Sequence, residues 1–207
     1  MGFPQDLLSR PYLTVIGGVD EAGRGPLVGP LVIAVVVGDS DVLLGVGVRD
    51  SKALSPGARE RVFARVLEVA ECVNYIVVEP HIVDMYTSKG LLNALEIDYT
   101  AKLLATCPAD VYYVDSPDVK PERYGSALSM ATGKRIVALN KGERVPQVAA
   151  ASIVAKVVRD RLIDLLKREV GDFGSGYPSD PRTVEFVKRG LVPSECIRHS
   201  WKVRFKV

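Results

Sequence analysis

The chain has 207 residues, enough for one domain with a small appendage. Hydrophobic residues make up 47%, which excludes a disordered polypeptide and provides for a full core. No apolar run approaches the roughly 18 residues of a membrane span, the first residues lack the parts of a signal peptide, and a net charge of only +2 does not by itself announce nucleic acid, so a cytoplasmic protein without a membrane partner is expected.

Residues 13–19 predict a first strand and Leu31-Val32-Ile33-Ala34-Val35-Val36-Val37 a second, joined as an antiparallel hairpin. Between them lies Gly18-Val19-Asp20-Glu21-Ala22-Gly23-Arg24-Gly25-Pro26, two adjacent carboxylates followed by an arginine between two glycines. Carboxylates at a strand end can hold a divalent metal. A Gly-Arg-Gly turn can bring backbone N–H groups and a guanidinium to a phosphate. Gly23, Gly25 and Gly29 are spaced one residue too widely for a dinucleotide fingerprint, and no Gly-Lys-Ser/Thr of a nucleotide P-loop follows. The alternative is a hairpin turn that happens to be charged.

Residues 39–50 read as a Gly- and Val-rich linker ending in Arg49-Asp50-Ser51-Lys52. Ser55-Pro56 is a helix start, and Val62, Phe63, Val66, Leu67 and Ala70 recur at helical spacing behind it. A short strand over residues 73–78 is closed by Pro80, and a helix is predicted over residues 91–104 with Leu92, Leu95, Leu103 and Leu104 facing the core. Val111-Tyr112-Tyr113-Val114-Asp115 is a strand that again ends in a carboxylate. After a polar stretch, residues 135–139 form a fifth strand. Residues 148–170 carry the longest helical pattern, with Val154, Val158, Leu162 and Leu166 as its apolar stripe. A Gly/Pro/Asp loop over residues 171–181, a short helix and a basic tail follow.

This order predicts an α/β domain, a mixed sheet with helices packed on it. If the first strand and the strand ending at Asp115 are neighbours, their acids converge at one sheet edge, where ligand sites of such sheets lie. The candidate ligands are Asp20, Glu21, Asp115 and Glu143. Two-metal phosphodiester chemistry needs several carboxylates around two ions about 3.5–4 Å apart. Adjacent residues on a regular strand point to opposite faces, so Asp20 and Glu21 share a site if the strand breaks there. Taken singly, Asp115 is equally a strand-end cap, and Glu143 a surface charge.

Ser152, Lys156 and Asp160 lie along one side of the long helix. Lys156 and Asp160 can form an ion pair, or Ser152 and Lys156 can hold phosphate, as Ser51 and Lys52 can. In Gly174-Ser175-Gly176-Tyr177-Pro178-Ser179-Asp180, a tyrosine between glycine and proline can stack on a sugar or base and test a 2′-OH. Lys188, Arg189, Arg198, Lys202, Arg204 and Lys206 make the tail basic, either a solvated surface or one that tracks a phosphate backbone. Cys72, Cys107 and Cys196 match no zinc or redox spacing, so reduced structural thiols are expected. With two histidines, any metal is held mainly by oxygen, which favours Mg²⁺ or Mn²⁺. Few Asn and Gln and several loop prolines are features of heat-stable proteins.

The glycine–carboxylate turn, Arg49-Asp50-Ser51-Lys52, Tyr113-Val114-Asp115, Ala150-Ala151-Ser152-Ile153-Val154-Ala155-Lys156-Val157-Val158-Arg159-Asp160 and the Tyr177 loop together resemble ribonuclease HII of the archaeal type, over nearly the whole chain and in the family's order. The resemblance implies a ribonuclease H-like fold with a mixed five-stranded sheet flanked by helices, and a small C-terminal helical and basic segment. The expected division is a catalytic domain over residues 1–170 and a C-terminal substrate-binding loop, short helix and tail over residues 171–207. It implies cleavage of RNA in RNA–DNA hybrids and at single ribonucleotides in duplex DNA, 5′ of the ribonucleotide, by a monomer using two metal ions. Asp20, Glu21 and Asp115 match three of the family's four metal-binding acids. The Gly23-Arg24-Gly25 turn matches its ribonucleotide-sensing loop, and Tyr177 the tyrosine near the 2′-OH. The fourth acid is usually Asp in Lys-Ala-Asp or Lys-Gly-Asp. Here Lys141-Gly142-Glu143 stands in that place, in a slightly short register, with Asp160 as the alternative. A junction resolvase of the same fold and a non-catalytic nucleic-acid binder are the rival expectations. No clamp-binding peptide is evident after Trp201.

Overall fold

The computed structural model describes residues 14–48 and 54–201. Ser51 and Lys52, with the rest of their motif, and the basic residues Lys202, Arg204 and Lys206 lie outside the described residues. Five strands, β1 (Ile16–Ala22), β2 (Leu31–Val37), β3 (Cys72–Val78), β4 (Val111–Asp115) and β5 (Ile136–Leu139), form one sheet in the order β3-β2-β1-β4-β5. The hairpin is antiparallel, with Gly17 opposite Val37 and Ala22 opposite Val32, and β3 pairs antiparallel with β2. β4 runs parallel to β1, with Val19 opposite Val114, and β5 parallel to β4. Parallel neighbours end at the same edge, so the acids that close β1 and β4 do converge there.

The described residues also form seven α-helices, most of them packed on the sheet: α1 (Ser40–Gly45), α2 (Pro56–Val69), α3 (Pro80–Thr87), α4 (Leu92–Leu104), α5 (Pro121–Thr132), α6 (Pro146–Val170) and α7 (Pro181–Lys188). α1, α3 and α5 occupy stretches read from sequence as linker, strand stop and polar segment. Every residue of β2 is buried, because both sheet faces are covered. On one face Val32, Ala34 and Val36 meet α6, Leu43 of α1 and Phe63 and Val66 of α2. On the other Leu31, Ile33, Val35 and Val37 meet Leu95, Leu103 and Leu104 of α4 and Tyr124 and Leu128 of α5. At about 1.5–3 kcal/mol per fully buried Val, Leu or Ile, these two layers dominate the fold's stability.

α6 lies against β1 because Gly18 leaves room for it: a Cβ there would fall 2.1 Å from the Gln147 carbonyl carbon. The alanine run Ala149, Ala150 and Ala151 keeps the approach close. The predicted stripe divides between two cores, with Val154, Val158 and Leu162 on the sheet, and Leu166 beside a third cluster of Leu27, Val28, Ile163, Phe173, Val192 and Ile197. That third cluster binds the C-terminal segment to the β1–β2 loop. Among the described residues no helix is long and apolar enough to cross a membrane.

The cysteine expectation is overturned. Cys72 and Cys107, 35 residues apart, form a disulfide across a Cα–Cα distance of 5.6 Å. The reason is tertiary: Cys72 opens β3 opposite Val37, and the turn after α4 comes back to that edge, where Asn74 Nδ2 also donates to Thr106 Oγ1. Cys196 is a free thiol.

Candidate active site

β1 does not break between its acids. Asp20 pairs opposite Ala34 and Glu21 opposite Ile33, so the two side chains leave opposite faces of the strand. Asp20 shares its face with α6, and Glu21 shares its face with α4. The Asp20 carboxylate instead folds toward the strand end, where Oδ1 accepts from the Glu21 amide at 2.7 Å. Burial pushes the Glu21 carboxyl well above its usual range, and the negative charges of Glu96, Asp20 and Asp115 push it further, with Arg24 opposing them. The acids therefore feel one another at the edge, although no three Asp, Glu, His or Cys side chains among the described residues close on a common point.

Asp115 ends β4, and its Oδ1 accepts from the Gly142 amide at 2.7 Å. Gly142 opens a short 3₁₀ turn, Gly142–Arg144, that half-buries Glu143 just before α6. Lys141 takes the left-handed conformation, φ 58°, to reverse the chain into this turn. Asp160 is elsewhere: its carboxylate pairs with Lys156 at 2.5 Å and lies 3.7 Å from Arg59. Asp160 is thus held in an ion pair, whereas Glu143, in the turn whose Gly142 amide bonds Asp115, lines a separate pocket with Leu44, Lys141, Arg144, Pro146 and Ala149.

A pocket of about 420 Å³ opens next to Glu21. Gly23, Arg24, Gly25, Ser152, Lys156 and Tyr177, six of the residues predicted to touch substrate, all line it. Arg59 and Arg159 line it too, and sequence reasoning gave neither a role. Arg24 is not a free hand for phosphate, because its guanidinium bonds Glu96 and, at 2.7 Å, Asn93 Oδ1. Glu96 is 2% exposed, and burial raises its pKa against the pull of Arg24. Its one sequence signal is its place on the apolar side of α4, four residues after Leu92. Tyr177 is 43% exposed, and its ring lies against Gly25, where a Cβ would come within 3.4 Å. Asp180 braces the Tyr177 loop, accepting from the Ser175 amide at 2.6 Å and capping α7 through the Arg182 amide.

Arg198 was expected on a basic surface and is instead fully buried. Burial, reinforced by nearby Arg159, pushes its guanidinium down to about 9. An all-carboxylate donor set whose members repel one another suits a hard divalent cation, which would offset that repulsion.

Carboxylates on the shared edge of two parallel strands, in a sheet whose first three strands form an antiparallel meander, define a ribonuclease H-like protein. The chain belongs to the ribonuclease HII family, whose sequence profile matches residues 17–204. It is 73% identical over 186 residues to ribonuclease HII of Pyrobaculum neutrophilum, covering 90% of this chain and 94% of that protein. The structure of the PCNA:RNase HII complex from Archaeoglobus fulgidus superposes with a TM-score of 0.85 at 42% identity, over 93% of this chain and 98% of that one. Pyrococcus horikoshii ribonuclease H2 gives 0.84 at 39% identity, covering 91% and 94%. Bst-RNase HIII in complex with Mn²⁺ gives 0.70 at 25% identity, over 90% of this chain and 66% of that one. The protein is thus a metal-dependent ribonuclease H of type 2 that cleaves RNA in RNA–DNA hybrids. Family membership sets aside the resolvase and the non-catalytic binder.

Proposed function

We propose that this enzyme also incises duplex DNA at a single embedded ribonucleotide, cutting on its 5′ side to leave a 3′-hydroxyl and a 5′-phosphate. The observation that carries this is one pocket lined by the Gly23-Arg24-Gly25 turn, Tyr177 and Glu21 together. A 2′-OH is what separates RNA from DNA at a given nucleotide, and a tyrosine packed on a glycine turn can test for it. Ser152 and Lys156 hold the phosphate backbone beside it, Lys156 steadied by Asp160. Ser51 and Lys52 are proposed further phosphate contacts. Asp20, Glu21, Asp115 and Glu143 would hold two Mg²⁺ or Mn²⁺ ions. Such ions supply Lewis acidity toward an attacking water and the departing 3′-oxygen. The Gly142 amide orients Asp115 for that task. The enzyme is taken to act as a monomer, with residues 171–207 adding the Tyr177 loop to the substrate side of a catalytic domain over residues 1–170.

The test is a labelled DNA duplex holding one ribonucleotide, with Mg²⁺, Mn²⁺ or chelator, cut by wild type and Tyr177→Phe. Metal-dependent cutting 5′ of the ribonucleotide, absent from all-DNA duplex and reduced at least about 10-fold in Tyr177→Phe, is expected. A folded enzyme that cuts an RNA–DNA hybrid but leaves this duplex intact would refute the proposal.

A further inference from the structure

Residues 23–30 join β1 to β2 and carry the Gly-Arg-Gly turn. Their carbonyls are captured from outside the hairpin. Arg198 Nη1 donates to the Arg24 carbonyl at 3.1 Å, and its Nε and Nη2 donate to the Gly29 carbonyl at 3.1 and 2.8 Å. Trp201 Nε1 donates to the Gly25 carbonyl at 3.0 Å. Arg159 donates to the carbonyls of Pro30 and Val28, both at 3.2 Å. The amides of Leu27 and Val28 turn the other way and donate to the carbonyl of Gly176, next to Tyr177.

A guanidinium is costly to bury. What compensates Arg198, at 0% exposure, is the carbonyl edge of this loop. Leucine would fill the space without that cost, so hydrophobic packing alone does not account for an arginine here. A trans peptide is planar, with its carbonyl and N–H pointing in opposite directions. Fixing the Arg24 carbonyl on Arg198 therefore fixes the direction of the Gly25 N–H, on the residue that lies against Tyr177.

We infer that Arg198 is a positioning residue for ribonucleotide recognition, holding the Gly23-Arg24-Gly25 turn so that the Gly25 N–H faces the pocket beside Tyr177. This rests on the ribonucleotide-directed function proposed above. Arg198 acts through the loop and touches no substrate itself. The Arg24–Glu96 contact anchors the same turn from the opposite side, at α4.

The experiment compares wild type, Arg198→Lys and Trp201→Phe on the single-ribonucleotide duplex and on an RNA–DNA hybrid, with folded fraction followed by circular dichroism. Lysine keeps the charge but is a single point donor and cannot hold two carbonyls in a fixed fork. The expected result is a kcat per folded molecule at least about 10-fold lower for Arg198→Lys with KM within about 3-fold of wild type, because backbone contacts bind the duplex while the reacting phosphate is misplaced. Trp201→Phe, which removes the bond to Gly25 and keeps an aromatic ring beside the Arg198 guanidinium, lowers kcat several-fold in the same way. Unchanged kcat per folded molecule in both variants, with only a lower Tm, would overturn the inference in favour of a structural role. If Arg198→Lys does not fold, Trp201→Phe decides alone. If wild type cuts the hybrid but not the single-ribonucleotide duplex, the ribonucleotide-directed function fails, and kcat on the hybrid then decides the positioning role.

Discussion

Asp115 and Gly142 meet with no space to spare: the glycine amide donates to Oδ1 at 2.7 Å, and a Cβ on Gly142 would lie 3.1 Å from the Asp115 Cα. The contact ties the 3₁₀ turn to the end of β4 and so sets where Glu143 stands. The same contact seats the backbone of the turn that carries Glu143, the proposed fourth acid. The turn is seated by Gly142, and the additional methylene of glutamate extends its reach.

Glu143→Asp is therefore expected to cost activity, because aspartate reaches one methylene less far from the same turn. Cleavage of an RNA–DNA hybrid in Mg²⁺ is expected to fall at least about 10-fold, and about 100-fold or more in Glu143→Gln. Wild-type rates for both variants would remove Glu143 from the site.

Asp160→Asn is the counterpart. Its carboxylate is engaged with Lys156 and Arg59, and an exposed ion pair of this kind contributes about 0–1 kcal/mol. Hybrid cleavage should stay within about 5-fold of wild type, whereas Asp20→Asn loses about 100-fold or more. Steady-state kinetics on the two variants side by side decide which acid belongs to the metal set.

Glu21 gives a pH-dependent prediction. Burial, Glu96, Asp20 and Asp115 raise its pKa in the folded protein. A carboxyl raised above its unfolded value, about 4.3, favours folding while protonated, and that contribution is lost as pH climbs through the folded value. Ionising Glu21 in the metal-free protein thus adds a repelling charge, felt as pH climbs through its raised folded value. Glu21→Gln should leave the metal-free Tm less sensitive to pH above about 4.3, holding it up at the alkaline end of the range where wild type falls, and abolish stabilisation by Mg²⁺. Calorimetry with chelator at several pH values measures this, and parallel Tm-against-pH curves for the two proteins would count against the repulsion.

The Cys72–Cys107 bond closes a loop of 35 residues, which in the chain-entropy account stabilises by about 3–4 kcal/mol. Reductant, or Cys107→Ala, is expected to lower Tm by several degrees while leaving hybrid cleavage at moderate temperature unchanged, since β3 is the strand farthest from β4 and β5 in the sheet. Identical melting curves with and without reductant would show that the bond does not form in solution.

How much of this was legible in the sequence follows from the range of each cause. The strands, α6 and the converging acids are written in local periodicity and in charges that interrupt apolar runs. α3 and α5 begin with proline at the first turn, at Pro80 and Pro121, and that signal was read at Pro80 as a strand stop. α1 is six residues long, too short for a periodic pattern, with only its Asp39 cap to mark it. The extension of β1 through Glu21 depends on pairing with β2, which no window on β1 contains. Arg198 looked like tail charge because composition cannot say which cation is buried, and Glu96 and Asn93 acquire their role only where α4 passes the glycine turn. The disulfide joins cysteines with no mutual signal beyond the fold itself.

That disulfide makes residues 72–107 a covalent ring, and both Asn93 and Glu96, which grip Arg24, lie within it. A protease that cuts one bond in the α3–α4 connection would open the ring without dividing the molecule. Both new ends would stay tethered at the β3 edge. On a non-reducing gel the nicked enzyme would still run as one band, and only reduction would release two fragments.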